Sequence, residues 1–327
     1  MQDFDFAIVG AGIAGVSAAY HLAPHARVIV LEREHVAAYH TTGRSAALQK
    51  AAADYARLVP SVRWLDPGET LRLQPLLKPE TAAGGAIFEP EADDMDVAAI
   101  HGGFLRGARA AGAVLRLDAE ITTLERKDGQ WKIGLRDGES LSTKTVVNAA
   151  GAWADVLAGL AGARPVGLIP KRRTAFTFDA PPDLDLVHLP MVIDFDETWY
   201  FKPEVGQFLA SPADETPSPP CDAQPEEMDI AIAVERIETA TTLQIRRIKN
   251  KWAGLRSFVA DKNLVVGYDP AVEGLFWLAG QGGYGIQTGE SAGRLAASLA
   301  LGRGMPGDIA GFGVSEAALS PARFTQG

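Results

Sequence analysis

Near its N-terminus the chain carries three glycines directly after an apolar run, in the sequence Phe4-Asp5-Phe6-Ala7-Ile8-Val9-Gly10-Ala11-Gly12-Ile13-Ala14-Gly15. Residues 4–9 have the length and apolarity of a buried strand, and residues 16–23 are small and apolar, as in a closely packed helix. Residues 27–31 form a second run rich in Val and Ile, which ends in Glu32. This order predicts a β-α-β unit whose first turn is G-x-G-x-x-G.

Each glycine of this turn has a separate physical task. Gly10 permits a tight turn, Gly12 lets a pyrophosphate approach the backbone, and Gly15 lets the helix pack closely on the strand. The helix N-terminus offers N–H groups to the phosphates, and Glu32 has the spacing of an acid that binds a ribose diol. The turn predicts NAD or FAD, and disfavours NADP because no arginine cluster follows Glu32. A glycine-rich turn without a ligand is the competing interpretation.

Composition narrows the class of protein. With 327 residues, 47% of them hydrophobic, the chain is expected to fold as one large or two average domains. A net charge of −10 and no basic run longer than Lys171-Arg172-Arg173 argue against a nucleic-acid partner. The single cysteine, Cys221, excludes an intrachain disulfide. Without a run of roughly 18 apolar residues or a secretory leader, we expect a cytoplasmic protein with no transmembrane segment.

Further elements follow from periodicity and from turn residues. Residues 96–111 have helical spacing, with Asp96 as the N-cap and Gly112 at the end. Short β-like runs between residues 165 and 252 carry aromatic side chains and predict an antiparallel sheet. The other predicted elements are strands at 114–117, within 121–141, at 145–148 and at 275–279, and helices at 154–160, 226–239 and 288–301.

Five motifs together resemble the signatures of a known family. They are similar, in order and over nearly the whole chain, to the D-amino-acid-oxidase (DAO) superfamily of FAD-dependent oxidoreductases, and within it to the bacterial D-arginine dehydrogenases. These motifs are the N-terminal turn, Gly43-Arg44-Ser45, Asn148-Ala149-Ala150-Gly151-Ala152-Trp153, Trp252-Ala253-Gly254-Leu255-Arg256 and Gly282-Gly283-Tyr284-Gly285-Ile286-Gln287.

The resemblance implies an α/β fold with a Rossmann-like FAD-binding domain, whose sheet is doubly wound and mostly parallel, and a substrate domain built on an antiparallel β-sheet. We expect the FAD-binding domain to be discontinuous. Its segments are residues 1–50, 95–164 and 253–327, and the substrate domain consists of residues 51–94 and 165–252.

The resemblance also implies non-covalent FAD, since Cys221 lies in a proline-rich loop unsuited to attachment. The expected contacts come from the glycine turns and their neighbours. They are Gly10, Gly12, Ile13, Ala14, Gly15, Glu32, Arg33, Thr41, Thr42, Gly43, Arg44, Ser45, Ala46, Ala47, Ile121, Ala150, Gly151, Gly282, Gly283, Tyr284, Gly285, Ile286, Gln287 and Thr288.

The implied reaction is oxidative deamination of a D-amino acid, with basic ones such as D-arginine or D-lysine as candidates. The Cα hydrogen leaves as hydride to the flavin N5, and the imino acid hydrolyses to a 2-oxo acid and ammonia. Quinone and oxygen are both open as electron acceptors. Alternatives are an enzyme for glycine, N-methyl amino acids or 2-hydroxy acids, and a flavin-binding protein with impaired turnover.

Five residues are candidates for binding and orienting the substrate. Arg256 is expected to hold the substrate carboxylate with two hydrogen bonds, the alternative being a structural ion pair. Arg173 is a second cation near the substrate or part of a solvated strand edge. Tyr200 either caps the carboxylate or belongs to the core. The resemblance places Gly283 and Gln287 at the substrate's edge of the flavin.

Two features limit the resemblance: one segment is short, and Leu48 stands where the family has a histidine that lines its site. The chain is several tens of residues shorter than the family between the Ala46-Ala47 pair and Leu58, where the family places an active-site loop and an acid that meets a cationic side chain. Either the site is more open here or the sequence lacks a segment, and the preference for arginine is in doubt.

His40 and His101 are interpreted as structural rather than as acid–base catalysts.

Overall fold

The structure is a computed structural model that describes residues 3–33 and 59–324 of the chain. Within these ranges the strands are β1 (Asp3–Val9), β2 (Val28–Leu31), β3 (Arg63–Leu65), β4 (Ala86–Phe88), β5 (Val114–Arg116), β6 (Ile121–Lys127), β7 (Gln130–Leu135), β8 (Ser140–Asn148), β9 (Ile169–Asp179), β10 (Val192–Ile193), β11 (Tyr200–Glu204), β12 (Gln207–Ser211), β13 (Thr216–Pro217), β14 (Ile248–Phe258), β15 (Val265–Tyr268) and β16 (Leu275–Ala279).

Helices connect and cover these strands. They are α1 (Ile13–Leu22), α2 (Pro67–Leu73), α3 (Pro79–Ala82), α4 (Val97–Ala110), α5 (Ala154–Leu160), α6 (Glu227–Ala240), α7 (Gly289–Ala300), α8 (Gly307–Ala310) and α9 (Glu316–Leu319), with 3₁₀ turns at Gly151–Trp153 and Pro321–Phe324. In the part of the chain that the structure describes, no helix is both long and apolar enough to cross a bilayer.

The larger sheet is mixed, with a parallel centre. Its main path runs β15-β16-β8-β1-β2-β5, and the neighbours from β16 to β5 pair in parallel. β15 is antiparallel to β16, and the β6-β7 hairpin joins through antiparallel pairing of β7 with β8. The predicted β-α-β unit is therefore confirmed as β1-α1-β2, next to the central strand β8.

Apolar side chains cover both faces of this sheet because strand side chains alternate. On β1, Ile8 packs with the apolar residues of α1 and α7, whereas Ala7 packs with Trp131 and the apolar face of α5. The predicted cap of α4 is confirmed, since Asp96 Oδ1 accepts a hydrogen bond from Ala99 N–H at 2.8 Å. Gly112 follows the helix with a φ of +95°.

The second sheet is antiparallel, as the aromatic runs predict. Its path is β10-β11-β12-β9-β13, with β14 on β9. One face packs Phe176, Phe178 and Phe208 against α6. The small β3-β4 sheet and α2 are joined to this lobe through Leu76 and Leu77, which belong to the same apolar cluster.

One boundary differs from the expected division of the chain. Residues 253–258, expected in the FAD-binding domain, are the end of β14 and pair with β9 of the antiparallel sheet, from Ala253↔Thr174 to Phe258↔Ile169. We therefore propose to draw the boundary after Phe258, where the chain enters the larger sheet through β15.

Candidate active site

A cleft opens at the carboxyl ends of β1, β2 and β8, where ligands bind in open α/β sheets. It encloses about 1420 Å³, counting the mouth that is open to solvent. Eleven of the residues expected to bind the cofactor line it, namely Gly10, Gly12, Ile13, Ala14, Glu32, Arg33, Ile121, Ala150, Gly151, Gly282 and Gly285.

The three glycines of the first turn have different steric surroundings. Gly10 has a φ of +102°, and a β-carbon there would lie 2.5 Å from the carbonyl oxygen of Ala149. A β-carbon on Gly15 would lie 1.9 Å from the carbonyl oxygen of Gly10, so α1 approaches β1 more closely than any side chain allows. Beside Gly12, in contrast, a β-carbon would meet no described atom within 4 Å.

This open side of Gly12 lies at the start of α1. Gly12 is the N-cap residue, and no side chain from residues 3–33 or 59–324 caps this helix end. Uncapped N–H groups and the positive end of the helix dipole favour a phosphate at this point. The open space and the uncapped helix end fit the pyrophosphate of FAD, which Ile13 and Ala14 would bind through the same helix end.

Glu32 is placed at the turn by a backbone contact. Its Oε2 accepts a hydrogen bond from Ala11 N–H at 2.8 Å, and its side chain also lines the cleft. The acid therefore orients the turn as well as facing the space where a ribose would lie. Beside it, the Arg33 guanidinium lies 4.2 Å from the ring centroid of Trp153.

The C-terminal glycine turn reaches the cleft only in part. Gly282, with a φ of +51°, donates its N–H to Ser257 O at 3.0 Å. Tyr284 donates its hydroxyl to Lys262 O at 2.5 Å, and burial, followed by the charge of Asp261, raises the pKa of this tyrosine. The expected contacts that are not among the cleft-lining residues are Gly15, Gly283, Tyr284, Ile286, Gln287 and Thr288.

Two of these have identifiable surroundings. The side chain of Gln287, expected beside the substrate, is exposed. The hydroxyl of Thr288 donates to Tyr284 O at 2.9 Å, one turn back at the start of α7. The expected contacts Thr41, Thr42, Gly43, Arg44, Ser45, Ala46 and Ala47 lie outside the described residues.

Several lining residues were missed by the sequence reasoning. They come from strand ends and from the helix that follows β8, and include Trp153, Val156, Leu160, Leu255, Ser257 and Gln281. Trp153 ends the motif at residues 148–153, in which Ala150 and Gly151 were expected to bind the cofactor. Its closeness in sequence to these two residues could therefore have identified it. No local pattern distinguishes Leu255 and Ser257 from core residues of β14.

Arg256 lies between these two cleft-lining residues of β14 and is only 3% exposed. None of its three guanidinium nitrogens has a hydrogen-bond partner among residues 3–33 and 59–324. Burial, and then the neighbouring charge of Arg173, lowers the pKa of Arg256 to about 10. A buried cation without a partner is costly, so this guanidinium has unused capacity for an anion.

Arg173 shares a face of the antiparallel sheet with Arg256. It pairs with Gly254 across β9 and β14, two residues before Arg256, and side chains two residues apart point the same way. Arg173 is better satisfied than Arg256, because its Nε donates to Asp214 O at 2.8 Å and its Nη2 lies 3.6 Å from Glu215 Oε1. It is buried, which contradicts the alternative of a solvated strand edge.

Tyr200 joins the two arginines on this face. Ala210 of β12 pairs with Phe176 of β9, which sets Ser211 beside residue 175, and Ser211 pairs with Tyr200. Tyr200 is buried, with 9% of its surface exposed. The structure thus brings three of the five expected substrate residues together on one sheet face. None of the three is among the cleft-lining residues, although Leu255 and Ser257 beside Arg256 are.

Comparisons with known proteins identify the family that the sequence matches. The sequence matches the model of the family described as FAD dependent oxidoreductase (DAO) over residues 5–55 and 45–299. The two matched segments overlap at residues 45–55, where this chain is shorter than the family.

Curated relatives are similar over part of their length. The chain is 28% identical over 237 residues to FAD-dependent oxidoreductase domain-containing protein 1 of Xenopus laevis, covering 65% of this chain and 46% of that protein. It is 27% identical over 263 residues to hydrogen cyanide synthase subunit HcnC of Pseudomonas aeruginosa, covering 80% and 61%. The chain therefore spans about half of the length of these relatives.

A solved structure is similar over its whole length. Glycine oxidase from Geobacillus kaustophilus superposes with a TM-score of 0.76 at 21% identity, covering 99% of this chain and 98% of that one. The likeness shows the fold. These comparisons support the family and the cofactor FAD, and give no support to D-arginine dehydrogenase in particular.

Proposed function

Since the chain belongs to the FAD-dependent oxidoreductase (DAO) family, we propose that it oxidises the Cα–N bond of an amino acid, with Arg256 as the carboxylate-binding residue. The observation that carries this proposal is the buried guanidinium of Arg256 without a hydrogen-bond partner among the described residues. A substrate carboxylate would supply two charge-assisted hydrogen bonds to it and would neutralise the buried charge.

The surroundings of Arg256 support a carboxylate rather than a neutral group. Arg173 is held in place by the backbone oxygen of Asp214 and by Glu215, so its guanidinium stays on the same sheet face as Arg256. Tyr200 lies on the same sheet face and has a hydroxyl that is suited to the second side of a carboxylate. By binding the substrate carboxylate, two arginines and a phenol on one face can fix the orientation of the substrate's α-carbon.

FAD, when bound, supplies the ring that accepts the hydride from Cα. The chain's own residues bind and orient: the first turn and Glu32 hold the dinucleotide part, and Arg256 holds the carboxylate. The amine must be neutral when hydride leaves Cα. The resulting imino acid is hydrolysed by water to a 2-oxo acid and ammonia, and the two electrons pass from the reduced flavin to a quinone or to oxygen.

We propose D-amino acids as the substrate class, on the resemblance of the sequence motifs to D-amino-acid-oxidising enzymes. A basic side chain has no further support, because the segment that would carry its acidic partner is short in this chain. Other members of the same family, acting on glycine, N-methyl amino acids or 2-hydroxy acids, would use the same carboxylate site. They are distinguished by experiment.

The experiment is anaerobic reduction of the bound flavin by a panel of D- and L-amino acids, glycine, N-methylglycine and 2-hydroxy acids. Intact mass fixes the length of the protein under test. Bleaching by D-amino acids alone supports the proposal. Bleaching only by 2-hydroxy acids, or none by any compound, contradicts it and favours a hydroxy-acid enzyme or a flavin-binding protein.

The Arg256→Met variant tests the assigned residue. We expect it to retain FAD and to need about a hundredfold more substrate for half-maximal reduction, because a charged, bidentate partner is lost. The matched control is Arg246→Met, since Arg246 is exposed and its guanidinium donates a hydrogen bond to the neighbouring Gln244 side chain. Loss of FAD from Arg256→Met, or an unchanged substrate requirement, would show the assignment to be wrong.

A further inference from the structure

We infer that His101, which lies outside every cofactor motif, is a positioning residue for FAD because it holds one peptide of the glycine turn. His101 is on α4, and its Nε2 lies 3.0 Å from the carbonyl oxygen of Ala11. A carbonyl only accepts hydrogen bonds, so Nε2 carries the proton and donates it. The contact spans 90 residues and joins α4 to the turn between β1 and α1.

Ala11 is held from both sides. Its N–H donates to Glu32 Oε2 at 2.8 Å, and its carbonyl oxygen accepts from His101. Because a trans peptide is planar, its C=O and N–H point in opposite directions. Fixing the Ala11 oxygen therefore also fixes the direction of the Gly12 N–H, away from His101.

The Gly12 side of this peptide is where the structure has room for a phosphate. A β-carbon at Gly12 would meet no described atom within 4 Å, and Gly12 lines the cleft. The hydrogen bond from His101 thus fixes the direction of a backbone donor that belongs to this cleft-lining residue. A flipped peptide would present the Ala11 oxygen there instead, and a carbonyl oxygen repels an anion.

A restraint on the Ala11–Gly12 peptide matters because glycine lowers the energetic cost of a peptide flip. Rotation of the Ala11–Gly12 peptide changes ψ of Ala11 and φ of Gly12, and glycine accepts positive φ about as readily as negative φ. In an alanine-rich turn the steric cost would hold the peptide in place. Here the glycine that admits the pyrophosphate also removes that steric restraint, and His101 replaces it.

The test compares His101→Met with His101→Gln, because the two side chains have nearly equal length and only glutamine can donate. FAD release from each holoenzyme is followed by the rise in flavin fluorescence after dilution, and Kd is measured by titrating the apoprotein with FAD. We expect His101→Met to release FAD about five- to tenfold faster, as loss of one positioned hydrogen bond predicts. His101→Gln should stay within about twofold of the wild type.

The control is Asp96→Ala, which removes the cap of the same helix without changing the contact to Ala11. It should lower the unfolding temperature and leave FAD release within about twofold. The inference is overturned if His101→Met releases FAD at the wild-type rate, if glutamine fails to rescue, or if Asp96→Ala releases FAD as fast as methionine does. If His101→Met does not fold, His101→Asn replaces it, because its shorter side chain cannot reach the oxygen. These outcomes concern FAD alone and do not depend on the proposed substrate.

Discussion

Gly15 packs directly against Gly10, so closely that a β-carbon at position 15 would lie 1.9 Å from the Gly10 carbonyl oxygen. Gly12, between them in sequence, has no such neighbour among the described atoms. The surroundings of Gly15 therefore require a glycine for packing of the protein, and we propose that Gly12 is required for access of the cofactor. Substitutions can separate the two requirements.

We expect Gly15→Ala to destabilise the apoprotein itself. The new methyl group would overlap the backbone of Gly10. Because a backbone cannot rotate away as a flexible side chain can, α1 must shift away from β1. Overpacking of this kind costs about 3 kcal/mol or more. The free energy of unfolding of the apoprotein in urea measures the effect, and an unchanged midpoint would contradict the packing role.

Gly12→Ala should have the reverse profile. At φ −70° and ψ −179° alanine is unstrained, and its methyl group enters open space, so the stability of the apoprotein should change by no more than about 0.5 kcal/mol. The same methyl group occupies the space expected for the pyrophosphate. The Kd for FAD should rise at least about tenfold, which corresponds to about 1.4 kcal/mol. Tight FAD binding by this variant would place the pyrophosphate elsewhere.

Arg256→Met should stabilise the apoprotein while it weakens substrate binding. Burial lowers the pKa of Arg256 to about 10, which means that the folded state disfavours the charge it carries at neutral pH. Replacing a buried, unneutralised charge by an apolar side chain of similar length should gain about 1–3 kcal/mol. Urea unfolding of the two apoproteins at pH 7 is the measurement. A less stable variant would indicate an ion pair that the described residues do not contain.

Asp5 should contribute a pH-dependent part of the stability of β1. Hydrogen bonds from the Lys144 ammonium at 2.8 Å and from Arg27 N–H lower the pKa of Asp5 to about 2. Since the folded-state pKa is depressed, the stabilisation is fully present above about pH 4 and is lost as the pH falls towards 2. After solvent screening we expect it to amount to about 1 kcal/mol.

The measurement for this prediction is the difference in unfolding free energy between wild type and Asp5→Asn. It should be near its maximum at pH 6 and shrink at pH 3. A difference that stays constant between these pH values would exclude the charged hydrogen bonds as its source.

Much of the larger lobe could be predicted from local pattern. The strand, glycines, helix and second strand of β1-α1-β2 occur in the order expected, because alternating periodicity and turn residues are encoded within short segments. The Asp96 cap and the aromatic antiparallel strands could be predicted for the same reason. Element ends were less accurate: α1 begins at Ile13 rather than at residue 16, since Gly12 itself is the N-cap, and β9 is longer than its apolar part.

By itself, the sequence determined the cofactor-binding turn, the alternation of elements and the identity of the arginines worth testing. Tertiary structure alone decided the partners of those residues. Pairing of β14 with β9 sets Arg256 beside Arg173, the Asp214 backbone satisfies Arg173 and leaves Arg256 without a partner among the described residues, and α4 brings His101 to Ala11. The two hydrogen bonds join positions 41 and 90 residues apart, and the placement of Arg256 depends on strand register. Local periodicity carries no information about either.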